Sequence, residues 1–319
     1  MSINFGSGDL GDVSLTADTT STSIESYQNL TVPFGITLTV PNGGILQVSD
    51  TLTLDGTIDV EPRMGSGGAG YGGDAGGSIF ILAKTISGSG TIKANAVVGG
   101  NGGGSNNNNS NDNGASGLPP VIAGAKTNVI TTGSRGGGGS SGGVASDTAI
   151  TRDLLSIWLD EWMIPSAKIS GLPMAKMLSG GGADSSRGKD NGQGGGGGSG
   201  GSFGGRGGNG GNGRNTNNNN GRQGGGGGGA GGLIAIVTES LSSTIVTQAN
   251  GADGGNGTNS TPGSGSGAGG GGGIVLAVTP NGQKPVYQVN GGQPGQTGHS
   301  LGNSGQNGVF THIPLSMIK

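Results

Sequence analysis

The chain contains no cysteine, which excludes disulfides and thiolate metal sites. It has two histidines, His299 and His312, too few for a histidine-cluster metal centre. No metal ion or other cofactor is expected. Charged residues make up only 10% and the formal net charge is −3, so the basic footprint of a nucleic-acid binder is missing. No apolar run reaches the ~18 residues that a membrane-crossing helix requires, so no membrane span is expected. Aromatic residues are 3% of the chain, which leaves little material for a conventional core. The first residues, Met1-Ser2-Ile3-Asn4-Phe5-Gly6, lack the basic and apolar regions of a secretory signal. The expectation is a protein released by another route, as virion parts are, or one whose signal has been removed.

What fills the space is glycine, 81 of 319 residues, gathered in runs. Ordinary usage is about 7%. Glycine loses roughly 0.5–1 kcal/mol more backbone entropy than alanine in regular structure. An ordered chain of this composition must therefore use glycine for what it alone permits, backbones in contact with no side chain between them. That favours an extended structural object over a pocketed enzyme.

Residues 1–64 alternate apolar and small polar residues with period two, in Leu30-Thr31-Val32, Ile36–Val40, Ile45–Val48, Thr51–Leu54 and Thr57–Val60. Enrichment in Thr, Val and Ile with this alternation predicts strands. Pro33-Phe34-Gly35, Pro41-Asn42-Gly43-Gly44, Ser49-Asp50 and Asp55-Gly56 predict turns between them. Short strands with turns every six to ten residues fit a β-solenoid or a β-sandwich. The similar phrases around Ile36–Leu38 and Thr51–Ile58 favour stacked rungs.

Residues 65–319 form a Gly-rich repeat body. Gly76-Gly77-Ser78-Ile79-Phe80-Ile81 is followed by Thr91-Ile92-Lys93-Ala94-Asn95. Gly231-Gly232-Leu233-Ile234-Ala235-Ile236 is followed by Ile245–Asn250, and Gly272-Gly273-Ile274-Val275-Leu276-Ala277 by Val286–Asn290. Each copy is a Gly run, a buried-type strand, a short turn, a second strand ending at Asn, and another Gly run. Strand pairs are thus predicted near 78–96, 233–250 and 274–290. The runs between them are read either as flexible loops or as packed left-handed helices with three residues per turn, and strands at both ends of a run favour packing. No strict three-residue period is visible, which argues against collagen. The Asn tracts 106–109 and 217–220 mark loop tips, and 101–117 and 209–223 are expected to be exposed.

One segment stands apart. Ile150, Leu154, Leu155, Trp158, Leu159 and Trp162 fall on one face of a helix near 147–163, capped by Ser146 or Asp147 and stopped by Pro165. Both tryptophans lie here. Leu154, Leu155, Trp158, Leu159 and Trp162 are the candidate assembly or partner contacts, unless this helix only covers an end of the β layer.

No catalytic constellation emerges. Gly188-Lys189-Asp190 fails the phosphate-loop pattern, and Gly72-Gly73-Asp74 does not recur as a calcium-binding nonapeptide. Asp59, Glu61 and Arg63 lie together after a strand, where on a β-helix such acids could serve a polysaccharide hydrolase or lyase, and solvated charges at a strand end explain them better. Arg135, Arg206, Arg214 and Arg222 are too sparse for an Arg-Gly RNA-binding tract. Tyr71, Phe203, Tyr287 and Phe310 are isolated aromatics suited to stacking on sugars or a host protein, although Tyr287 lies inside a predicted strand.

The Gly run, Gly-Gly-Ser-Ile-x-Ile and Gly-Ser-Gly-Thr-Ile-x-Ala arrangement at 65–100 resembles Gly-rich surface and tail-fibre proteins of bacteria and their phages. In texture, 65–310 is similar to phage tip adhesins that pack polyglycine helices into a sandwich. The β-rich start and the amphipathic helix depart from those adhesins. The resemblance implies a non-enzymatic structural or adhesive part of a tail fibre or comparable extracellular appendage, extracellular or virion-borne. It also implies loops that contact a host-surface glycan or envelope protein. The alternatives are a self-assembling cell-surface filament or matrix protein and, lower, a β-helical polysaccharide-degrading enzyme. A homo-oligomer or polymer is expected. The fold expected is all-β, with a β-solenoid-like start, a Gly-rich body of packed polyglycine segments and one inserted α-helix.

Overall fold

Alternation of β-branched and small polar residues gives the chain its strands, and in the computed structural model nearly every ordered element is one. The structure describes residues 3–62, 72–101, 150–151, 176–177, 224–259 and 263–317. In chain order the strands are β1 (Asp12–Ser14), β2 (Thr19–Thr20), β3 (Ile24–Tyr27), β4 (Asn29–Val32), β5 (Thr37–Val40), β6 (Gly44–Leu54), β7 (Thr57–Val60), β8 (Ser78–Ser87) and β9 (Thr91–Lys93). There follow β10 (Ile150–Thr151), β11 (Lys176–Met177), β12 (Leu233–Val237), β13 (Ser240–Leu241), β14 (Val246–Gln248), β15 (Ile274–Thr279), β16 (Val286–Gln288) and β17 (Val309–Pro314). A 3-10 turn at Leu315–Met317 closes the described chain.

Two parallel sheets carry the fold. A nine-stranded sheet runs β1-β4-β6-β8-β12-β15-β17, with β3 beside β6 and β13 beside β8, and a six-stranded sheet runs β16-β14-β9-β7-β5-β2. From β4 to β9, and again from β13 to β17, successive strands alternate between the two sheets. The two strands of each sequence repeat therefore never pair with each other. They pair with the matching strands of the neighbouring copies, Leu233 with Ser78 and with Ile274, and Val246 with Thr91 and with Val286. Pairing also runs across residue 64, through β6 with β8 and β7 with β9.

Register sorts the strands into three columns. The first half of β6 and of β8 stacks with β3, β12, β15 and β17, while their second halves stack with β4 and β13. The six-stranded sheet is the third column. The Ser49-Asp50 break read as a turn between strands is instead an irregularity inside the 11-residue β6, where the register with β8 shifts between Val48 and Thr51. A bulge satisfies a turn-like sequence without ending the strand, because ladder hydrogen bonds resume on its far side.

Every second residue points inward. Leu30, Leu38, Leu52, Ile58, Ile81, Ile92, Ile236 and Val275 belong to one buried cluster between the sheets. Burying one such side chain contributes roughly 1.5–3 kcal/mol. In β8, β12 and β15 the alternate residues Phe80, Leu82, Leu233, Val237, Ile274 and Val278 are buried as well, so these strands read as continuous apolar runs.

Among the described residues there is no α-helix. The predicted helix near 147–163 lies outside them, except for Ile150 and Thr151, which form β10, paired antiparallel with β11.

Candidate functional site

The Gly runs leave the ends of β9, β14 and β16 and return to the starts of β8, β12, β15 and β17. Outgoing segments 94–101, 249–259 and 289–298 lie beside returning segments 72–77, 224–232, 263–273 and 300–308. Their backbone hydrogen bonds recur at every third residue. Gly225, Gly228 and Gly231 N–H groups donate to the carbonyls of Gly265, Ala268 and Gly271, between returning segments that run in the same direction. Gly226, Gly229 and Gly232 donate to Gly100, Val97 and Ala94, across to an outgoing segment running the opposite way. The same alternation joins Gly267, Gly270 and Gly273 to Gly255, Ala252 and Ala249.

Absence of side chains makes this possible. A Cβ on Gly229 would fall on the carbonyl of Asp74, and one on Gly270 would fall on the carbonyl of Gly229. A backbone with three residues per turn makes no hydrogen bonds with itself, so neighbouring segments must supply them. The period that is blurred in the sequence is plain in the contacts. Along 250–259 the outward position of each triplet holds Asn250, Asp253, Asn256 and Asn259, with Gly251, Gly254 and Gly257 packed behind them.

These outward residues form ladders. The Asn95 Oδ1 accepts from the Asn250 N–H at 2.9 Å, and the Asn250 Oδ1 accepts from the Asn290 N–H at 2.9 Å. In a second row the Asn101 Oδ1 accepts from Asn256 N–H, and the Asn256 Oδ1 accepts from the N–H groups of Gln296 and Thr297. The Asp253 Oδ1 accepts from Gln293 N–H between these rows. Each of these side chains thus ties its own layer to the next, and this is the use made of the Asn that ends the second strand in the first two repeat copies.

At the last layer Tyr287 and Phe310, read as isolated, stack with ring centroids 4.0 Å apart and planes 4° apart. Both stand in inward-facing columns, Tyr287 beyond Thr247 and Ile92, Phe310 beyond Val275 and Ile234. They close that end of the core, and Tyr287 remains 48% exposed because no further layer follows in the described chain.

The titratable groups are scattered. Asp59 is paired in register with Lys93, and burial raises its pKa while Lys93 works against that shift. His312 Nε2 lies 3.0 Å from Thr279 Oγ1, and its pKa is lowered by burial and then by Lys284. Tyr27 donates to the Glu25 carboxylate, and burial pushes the phenol well above its ordinary range. His299 is exposed, its backbone N–H bonded to the Ser264 carbonyl. Among the described residues no three of His, Asp and Glu group as metal ligands would, and no helix is long and apolar enough to cross a membrane.

Leu154, Leu155, Trp158, Leu159 and Trp162 lie outside the described residues, as do Tyr71, Phe203, the four glycine-flanking arginines and the loops at 101–117 and 209–223 apart from Asn101. What is placed is the base from which 102–223 departs, since the Gly226 N–H donates to the Gly100 carbonyl at 2.8 Å. The chain leaves and re-enters the Gly-rich layers at adjoining points. The sequence reading missed the Asn ladder, although its signal was present as Asn at the end of each repeat copy. Comparison with known proteins found no matching family model, no matching curated protein and no matching solved structure.

Proposed function

We propose that this protein is a non-enzymatic structural and adhesive part of an extracellular appendage such as a phage tail fibre. In this reading the strands form a β-solenoid stem, and the Gly segments form a wing of left-handed three-residue helices on one corner of it. The observation that carries the reading is the three-residue hydrogen-bond period shared by successive layers. A backbone tied on several sides has little freedom left to lose on binding, which suits a rigid presenter of loops. The 102–223 insertion, rooted where Gly100 meets Gly226, is the surface assigned to a host glycan or envelope protein.

Negative-stain imaging together with binding of the full chain to host-envelope fractions and glycans tests this. The expected result is a short stiff particle that binds saturably, with binding lost when 102–223 is replaced by a short Gly-Ser linker and the melting temperature largely kept. Equal binding by that variant, or no binding to any surface, would refute the adhesive role. The second reading is a self-assembling filament, favoured by the half-exposed Tyr287 end of the core; long polymers in the same images would support it. Turnover on polysaccharides would instead point to a β-helical enzyme.

A further inference from the structure

We infer that copies of this chain stack head to tail, with the Tyr287–Phe310 end of one copy continuing into the β2 end of the next. The proposal rests on the stem reading and names the partner of its open end.

Three observations converge. The first is charge. Residues 3–62 contain eight carboxylates and no Lys, Arg or His, whereas the described residues between 254 and 317 contain Lys284 and no Asp or Glu. Strand order places these stretches toward opposite edges, β1 and β17 being six strand spacings apart in the nine-stranded sheet, about 29 Å at about 4.8 Å each. Among the described residues the two edges therefore differ in charge along the stacking direction, and a second copy in the same orientation brings the acidic edge to Lys284.

The second is the state of the two ends. At one, Val286 is 49% exposed beside Tyr287. At the other, Leu10 is 51% and Ile24 58% exposed. Both ends thus carry exposed apolar side chains.

The third is hydrogen-bonding direction. Residues 8–11 lie along β3, through Leu10 N–H to Ser26 O and Gln28 N–H to Gly11 O, so the edge of the first column is occupied there. The third column is open at both ends, at β2 and β16. Ser21 N–H is spent on the Thr39 carbonyl and Val286 N–H on the Ile245 carbonyl. Alternate residues of a parallel strand turn their backbone groups to opposite neighbours. That leaves Thr20 and Tyr287 facing the free edges. Register puts Thr19 and Tyr287 in the same inward column, by way of Leu38, Ile58, Ile92 and Thr247. A copy added in register sets Thr19 over Tyr287 and brings Thr20 N–H to the Tyr287 carbonyl. The contact uses different surfaces on the two copies, so it propagates.

Sedimentation velocity of the full chain over a range of concentrations tests this, at about 0.01 M salt (Debye length about 30 Å) and about 1 M salt (about 3 Å). Association that grows with concentration and weakens at high salt is expected. Asp9→Lys and Lys284→Glu, both at exposed positions, should each weaken it about tenfold, and an equimolar mixture of the two variants should regain association as alternating stacks. Thr20→Pro, which removes an edge donor with no partner among the described residues, should abolish stacking with little change in melting. A monomer at all concentrations and low salt would overturn the proposal. So would oligomers indifferent to both the charge reversals and Thr20→Pro. A stacking failure with surface binding intact leaves the adhesive reading standing, and loss of surface binding with stacking intact removes only the adhesive role.

Discussion

Replacing Gly270 by Ala strikes the middle of the Gly-rich layers. The Gly270 N–H donates to the Ala252 carbonyl at 2.9 Å, and its own carbonyl accepts from the Gly292 N–H at 2.7 Å. The new Cβ would fall on the Gly229 carbonyl, which itself accepts from Ala252. The obstacle is backbone on every side, so no side-chain rotation relieves it. Overpacking costs about 1–3 kcal/mol, and weakening two such hydrogen bonds costs about 1–1.5 kcal/mol each. The reduced freedom of the unfolded chain returns about 0.4–1 kcal/mol. The net destabilisation is about 2–5 kcal/mol. Gly35→Ala is the control, for its Cβ meets open space and only the positive φ of 80° resists it, a cost near 1 kcal/mol. Urea denaturation of the two variants measures the difference, and hydrogen exchange at the Gly270 and Gly292 amides localises it. A Gly270→Ala protein within about 0.5 kcal/mol of wild type, or no less stable than Gly35→Ala, would refute the packed-backbone account.

Asn250→Ala should speed exchange at the Asn290 amide and destabilise by about 0.5–1.5 kcal/mol, whereas Asn250→Asp, which keeps the acceptor, should protect that amide. Phe310→Ala should cost about 1–3 kcal/mol, below the range for a fully buried Phe because the stack is partly exposed, and should raise the fluorescence sensitivity of Tyr287 to quenchers. The lowered pKa of His312 means that the unfolded chain takes up a proton first, so stability should fall as pH drops through the ordinary value near 6.5. His312→Gln should flatten melting temperature against pH there. Asp59 acts in the opposite sense in a more acid window, since its raised pKa makes the native state bind the proton more tightly and gain stability as pH falls.

Local sequence decided where the strands are. Thr37–Val40 and Thr57–Val60 alternate so regularly that only one face of each can be buried, and the three repeat copies announced that the same unit recurs. It also held the Asn that closes each copy, though its use as an acceptor for the neighbouring copy's backbone appears only when Asn250 is set beside Asn290. Tertiary structure alone decided which strands pair, because a parallel ladder joins Ser78 to Leu233 across 155 positions and no local pattern encodes that partner. It decided that Tyr287 and Phe310 meet, since they come from different sheets. It decided as well that the Gly runs keep a three-residue beat. Glycine carries no side chain to record an orientation in the sequence, so the period is written only in the hydrogen bonds its neighbours complete.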